Sequence, residues 1–94
     1  METAAITDLY QASYYLLSGC ELLSVDVIPA GTTSSCRLVL RGSELPRLAQ
    51  AWFDKSAAAN LWQFRNAYSE INSHVQQAKR SFEFTRRKAG VDHE

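Results

Sequence analysis

The sequence predicts an α+β domain in which helices cover a two-stranded antiparallel hairpin, in the order α-β-β-α-α. Apolar residues recur at helical spacing in three segments and alternate with polar residues in two others. A length of 94 residues fits one domain, which predicts a single domain over residues 1–94. With 46% hydrophobic and 21% charged residues, the composition is typical of a folded chain and argues against a mainly disordered one.

The first predicted element is a helix over about residues 4–18. Its apolar side chains fall on one helical face, and they are Ile6, Leu9, Tyr10, Leu16 and Leu17. Thr3 or Thr7 is the expected N-cap, because a hydroxyl oxygen can accept a bond from a free backbone N–H. Gly19 is the expected residue after the C-cap, since glycine adopts the left-handed conformation without a steric penalty.

After Gly19 the apolar residues recur at every second position. This spacing predicts two strands, over about residues 21–28 and 35–41. In the first strand, polar residues alternate with Leu23, Val25 and Val27. A short polar connection after Pro29 makes an antiparallel hairpin the simplest arrangement. Arg37 and Arg41 share one side of the second strand, and we expect them on the solvated face of the hairpin or at an exposed edge.

A second helix is predicted over about residues 44–56. Ser43 is the expected cap, and Pro46 falls in the first turn, where its missing N–H removes no helical bond. The apolar face of this helix comprises Leu45, Leu48, Ala49, Trp52 and Phe53.

A long third helix is predicted over about residues 60–88, with Asn60 as its cap and Gly90 as its stop. Its apolar residues are three and four positions apart over three heptads, and they are Leu61, Phe64, Tyr68, Ile71, Val75, Ala78 and Phe82. At 1.5 Å per residue this helix is about 43 Å long. A domain of this size is about 25–30 Å across, so we expect the helix to overhang it.

An overhanging helix with an apolar stripe predicts self-association, because a second copy can cover the stripe. The expected homodimer contact comprises Leu61, Phe64, Tyr68, Ile71, Val75 and Phe82. The same spacing is also typical of a helix that packs on its own core. Burial within one chain, or against a different protein, therefore stays open. The leading functional interpretation is a non-catalytic protein-interaction module.

The charge pattern supplies an alternative function. Ten basic and ten acidic residues cancel, whereas a nucleic-acid-binding domain is usually basic. The basic residues nevertheless cluster near the C-terminus, and they are Lys79, Arg80, Arg86, Arg87 and Lys88. This cluster could contact phosphates, with Phe82 and Phe84 available to stack on bases. The simpler interpretation is a solvated helix end, where positive charge complements the helix dipole.

Motifs for catalysis, metal binding or cofactor binding are missing from the sequence. His74 and His93 are the only histidines, and neither belongs to an HExxH pattern. There is no GxSxG motif, and the four glycines are too scattered to form a phosphate loop. We therefore expect no enzyme activity, no metal and no cofactor.

The two cysteines, Cys20 and Cys36, lack the CxxC spacing and additional ligands of metal sites.

No secretory signal is visible at the N-terminus, and no apolar run reaches the 18 or so residues of a membrane span. We expect a cytoplasmic protein with both thiols reduced and no membrane partner.

The segment LYQASYYLLSGCEL carries a resemblance to a known family. It resembles small uncharacterised bacterial and archaeal domains that open with a helix ending in a Tyr-Leu and glycine signature, here Tyr15, Leu16 and Gly19. These domains continue with a hairpin, an aromatic-containing helix, here with Trp52 and Phe53, and a final helix. The resemblance covers about residues 6–75, and the last helix here is longer and more basic. It implies an order of elements and no assigned activity.

Overall fold

A computed structural model describes residues 2–30 and 33–91. Its elements are β1 (Glu2–Ile6), α1 (Leu9–Leu17), β2 (Glu21–Ala30), β3 (Thr33–Gly42), α2 (Leu45–Phe53) and α3 (Leu61–Val91). The strands form an antiparallel sheet in the order β1-β3-β2, with β3 in the centre. The predicted α+β fold class is confirmed, together with the order of helix, hairpin, helix and helix.

A strand that the sequence analysis missed precedes the first helix. Residues 2–6 form β1, which places Ala4 opposite Leu40 and Ile6 opposite Leu38. The predicted helix over 4–18 therefore begins later, at Leu9. The physical reason is tertiary: pairing with β3 outweighs the weak helical preference of a short segment that contains two alanines.

The caps of α1 correct one expectation and confirm another. Asp8, and neither Thr3 nor Thr7, is the N-cap. One Asp8 carboxylate oxygen accepts bonds from the backbone N–H of Tyr10 at 2.9 Å and of Gln11 at 3.3 Å. At the other end Gly19 has φ +103°, which confirms its expected role after the C-cap.

A β-bulge changes the predicted alternation in β2. The register with β3 shifts between Leu22 and Ser24. As a result Leu22, Val25 and Val27 pack toward the core, whereas Leu23 is 43% exposed. The expectation that Leu23 shares a face with the valines is wrong. One extra residue in a strand moves the side chains that precede it to the other face of the sheet.

The hairpin strands are longer than predicted. β2 extends to Ala30 beyond the expected end near 28, and Pro29 pairs with Ser34 inside the ladder. Proline is tolerated there because β2 is an edge strand, whose outer side needs no N–H donor. β3 spans residues 33–42 where 35–41 was expected.

The outer face of the hairpin carries two cross-strand ion pairs. Asp26 lies opposite Arg37, with 3.6 Å between their charged atoms, and Glu21 lies opposite Arg41 at 2.6 Å. This confirms the prediction that both arginines lie on a solvated face. All four side chains are substantially exposed, so each pair contributes no more than about 1 kcal/mol.

The core lies between the inner face of the sheet and the helices. Leu38 and Leu40 of the central strand are fully buried, with Tyr15 from α1, Leu48 from α2 and Ile71 from α3. Helix α3 packs on α1 and on β2. This arrangement covers one face of the sheet and leaves the ion-paired face in solvent.

The two C-terminal helices have different bounds from those predicted. α2 is shorter than the expected 44–56, and its N-cap is Glu44 and not Ser43, without a capping bond from the side chain. The left-handed Lys55, with φ +62°, lies just beyond its end. Asn60 caps α3 as predicted, because its side-chain oxygen accepts bonds from the N–H groups of Trp62 and Gln63.

Helix α3 is longer than the rest of the domain is wide. It continues through Gly90 to Val91, so Gly90 does not stop it near residue 88 as predicted. At 1.5 Å per residue its 31 residues span about 46 Å. The domain measures 54 × 26 × 22 Å, which agrees with the predicted overhang.

Candidate interaction surface

The predicted apolar stripe of α3 divides into a buried and an accessible part. Ile71 and Val75, at 0% and 3% exposure, belong to the chain's own core. These two side chains are therefore unavailable for contact between copies, because α1 and β2 lie against the middle of α3. Toward the N-terminus, Phe64 and Tyr68 are half-buried and Leu61 is 78% exposed. Toward the other end, Phe82 is half-buried.

The accessible part of the stripe joins aromatic residues from other helices. Tyr10 of α1 is 58% exposed and stacks on Tyr68, with ring centroids 5.3 Å apart, and on Phe64 at 6.2 Å. Helix α1 presents Tyr10 there because its opposite face is anchored in the core by Ala12 and Tyr15. The result is a line of stacked rings on the surface.

A cleft of about 220 Å³ continues this line toward α2. Its lining residues are Tyr14, Trp52, Ala57, Ala58, Ala59, Leu61 and Phe64. Trp52 stacks on Tyr14 with ring centroids 6.0 Å apart. No charged residue lines the cleft among the residues that the structure describes. We name the accessible set Tyr10, Trp52, Leu61, Phe64 and Tyr68 the aromatic patch.

Two further large side chains extend beyond the aromatic patch. Phe53 follows Trp52 at the end of α2 and is 73% exposed, and Trp62 follows Leu61 and is 65% exposed. The Arg65 guanidinium lies 5.4 Å from the centre of the Trp62 ring, within the range of a cation–π interaction. Trp52 was expected on the apolar face of the second helix, and the predicted contact on the third helix did not include Tyr10.

A larger groove lies between the start of β2 and α3, with a volume of about 570 Å³. Glu70 and His74, one helical turn apart, form part of its wall. Across the described ranges, neither side chain forms a hydrogen bond or an ion pair with another side chain. No set of three or more potential metal ligands comes together within those ranges. In the part that the structure describes, the groove is therefore a concave surface with acidic residues in its lining, which suits the binding of a partner and not metal coordination.

The basic cluster of the alternative function lies on the second half of α3. Lys79 is half-buried and Arg80 is exposed. Arg86, Arg87 and Lys88 lie on the last turns of the helix, and their side chains are outside the described residues. All five residues thus belong to one continuous helix.

The two cysteines are both free and buried. Cys20 lies against Gly42 at one end of β3. Cys36 lies six residues along the same strand, which is about 20 Å at 3.3 Å per residue. The two thiols are therefore too far apart to form a disulfide with each other. Burial raises the pKa of the Cys20 thiol, so it remains protonated at neutral pH.

None of the described helices combines the length and hydropathy needed to cross a lipid bilayer. Comparisons of this chain with family models, with curated proteins and with solved structures find no match.

Proposed function

We propose that this protein is a non-catalytic interaction module that forms a homodimer through the aromatic patch. The proposal retains the N-terminal part of the stripe predicted on α3 and omits Ile71 and Val75, which the core occupies. Both cysteines are free thiols, which suits a reducing compartment such as the cytoplasm.

The exposure of Leu61 beside stacked aromatic rings carries the proposal. Leu61 leaves 78% of its surface in solvent at the rim of an apolar cleft, and Tyr10 leaves 58%. Clustered exposed apolar side chains of this size are uncommon on a monomer and are typical of interaction sites. Aromatic residues are also enriched at the centres of protein interfaces.

The chemistry of the aromatic patch favours a second copy as the partner. A two-fold dimer places the same surface of each subunit against the other. A strongly charged surface would repel itself in such an arrangement, whereas the aromatic patch contains no charged residue. Leu61 of each copy can enter the cleft of the other, and the tyrosine hydroxyls can remain at the wet rim.

The mass in solution, measured by light scattering behind size exclusion over a tenfold concentration range, tests this proposal. We expect a mass of about twice the 10.6 kDa of one chain. Leu61→Glu is expected to reduce it to that of a monomer while the helical circular dichroism stays unchanged, because the desolvated interface cannot accept an unpaired carboxylate.

The matched control is Leu23→Glu, which introduces the same charge at an exposed leucine of β2. It is expected to leave the dimer intact. A wild-type chain that is monomeric at every concentration would contradict the proposal. So would a Leu61→Glu variant that remains dimeric.

A second candidate function is nucleic-acid binding through the basic cluster. It is favoured by the continuity of α3, which carries Lys79 to Lys88 on one uninterrupted helix. Binding of this kind weakens steeply as salt rises, because phosphate contacts release counterions. Truncation after Ser81 is expected to abolish binding to duplex DNA in a fluorescence anisotropy titration. Binding that survives the truncation would contradict this candidate.

A further inference from the structure

Strand β2 lies at one edge of the sheet, and no strand among the described residues pairs with its outer side. An edge strand presents N–H and C=O groups on which another extended backbone can add. The bulge at Leu22/Ser24 and the proline at 29, which lacks an N–H, limit where such addition can occur. The regular stretch between them is residues 24–28.

The core is open on the side of β2. The inward-facing Leu22, Val25 and Val27 are only half-buried, whereas Leu38 and Leu40 on the neighbouring β3 are fully buried. The groove between β2 and α3 accounts for this difference at Leu22 and Val25, which line it. Its apolar lining residues are Leu16, Leu22, Leu23, Val25 and Ala78. Ser24 and Val25 belong both to the regular stretch and to the groove, so a strand added there would direct alternate side chains toward the groove.

The charge of the groove indicates what kind of segment would fit. Among the residues that the structure describes, its charged lining residues are Glu21 and Glu70, and neither Lys nor Arg lines it. The Glu21 carboxylate already accepts a bond from the Arg41 guanidinium at 2.6 Å, whereas Glu70 has no ion pair within the described part of the chain. A basic side chain near Glu70 would be attracted at close range.

We propose that β2 and the adjoining groove bind an extended peptide segment of another protein by strand addition. The segment has apolar side chains at alternate positions, which fill the groove, and a Lys or Arg that pairs with Glu70. Its backbone pairs with residues 24–28, and pockets for alternate side chains provide the selectivity. The proposal uses a surface separate from the aromatic patch and adds a partner class to the proposed self-association.

The chain itself supplies a probe with this chemistry. Residues 34–42 belong to β3, and residues 34–41 already pair with β2 on its other side. Cys36, Leu38 and Leu40 share one face of this segment, and Arg37, Val39 and Arg41 share the other. The probe is a fluorescein-labelled synthetic peptide of residues 34–42 carrying Cys36→Arg, which removes the thiol and puts one basic side chain on the same face as Leu38 and Leu40. The control peptide has the same composition, with the leucines adjacent and the arginines adjacent so that the alternation is lost. We expect saturable binding of the probe in fluorescence anisotropy, at least about tenfold tighter than binding of the control peptide.

Two variants of the groove test where the probe binds. Ala78→Arg places a long cationic side chain in the groove, and we expect it to weaken probe binding at least about tenfold. The matched control, Gln76→Arg, adds the same charge at an exposed position of α3 that does not line the groove. Glu70→Lys, at an exposed position, is expected to weaken binding independently if Ala78→Arg disturbs the fold.

Several outcomes would overturn the strand-addition proposal. These are the absence of saturable probe binding, equal binding of the control peptide, or unchanged binding by both groove variants. Dissociation of a dimer by Ala78→Arg would identify a second copy as the occupant, which also overturns it. Leu61→Glu is expected to leave probe binding unchanged, so failure of the proposed self-association is distinguishable from failure of strand addition.

Discussion

Replacing Ile71 by alanine is expected to lower the free energy of unfolding by about 2–5 kcal/mol. The Ile71 side chain is fully buried among core residues of α1 and the sheet. Its truncation removes apolar contacts and leaves a cavity that the surrounding helices fill only in part. Domains of this kind are stable by about 5–15 kcal/mol, so the loss is a large fraction of the total.

Urea denaturation followed by circular dichroism measures this loss. We expect the decrease to be independent of protein concentration, because Ile71 is buried within one chain. A decrease that grows on dilution would instead place Ile71 at a contact between copies. The matched control is Leu61→Ala, ten residues earlier on the same stripe and 78% exposed. It is expected to change the stability of the monomer by less than about 0.5 kcal/mol.

The contrast between Ile71 and Leu61 shows what the spacing of apolar residues can and cannot predict. The sequence predicts that both lie on one face of a long helix, and the structure agrees. Spacing within a helix cannot tell which turns of that face are covered, because the covering elements come from elsewhere in the chain. Contacts of α3 with α1 and β2 decide that Ile71 is buried and Leu61 is not.

The helix caps at Gly19 and Asn60 could be predicted from neighbouring residues. Strand β1 could not, because it forms by pairing with a distant strand. Gly19 and Asn60 act through bonds to residues within a few positions, so their types and places suffice to predict them. Strand β1 exists because of β3, where Leu40 lies opposite Ala4 at a separation of 36 residues. Nothing within the five residues of β1 distinguishes a short strand from the first turn of a helix.

The candidate surface was only partly predictable for the same reason. Leu61, Phe64 and Tyr68 follow from helical spacing, and they form one side of the aromatic patch. Tyr10 lies 54 positions before Phe64, and its stacking depends on how α1 crosses α3. The groove beside β2 is lined in part by the bulged residues 22–24, and the alternation of apolar residues in the sequence does not reveal the bulge.

Replacing Gly42 by alanine is expected to destabilise the protein by about 1–3 kcal/mol. A Cβ at this position would lie 2.7 Å from the Cys20 sulfur, 3.4 Å from its Cβ and 3.5 Å from its Cα. Cys20 is only 6% exposed, so the sulfur has little room to move. Gly42 does not need a left-handed backbone, since its φ is not positive. The expected loss therefore comes from crowding of the thiol.

A double-mutant cycle with Cys20→Ala isolates that contact. Cys20→Ala removes the sulfur and is expected to cost about 1 kcal/mol alone, the value of a small buried apolar group. In the Cys20→Ala background, Gly42→Ala is expected to cost less than about 0.5 kcal/mol, because the new methyl group occupies the space that the sulfur leaves. Thermal unfolding of all four proteins measures the coupling energy. Strictly additive losses would contradict the crowding explanation and would show that the end of β3 needs glycine for its pairing with β1, where Gly42 lies opposite Glu2.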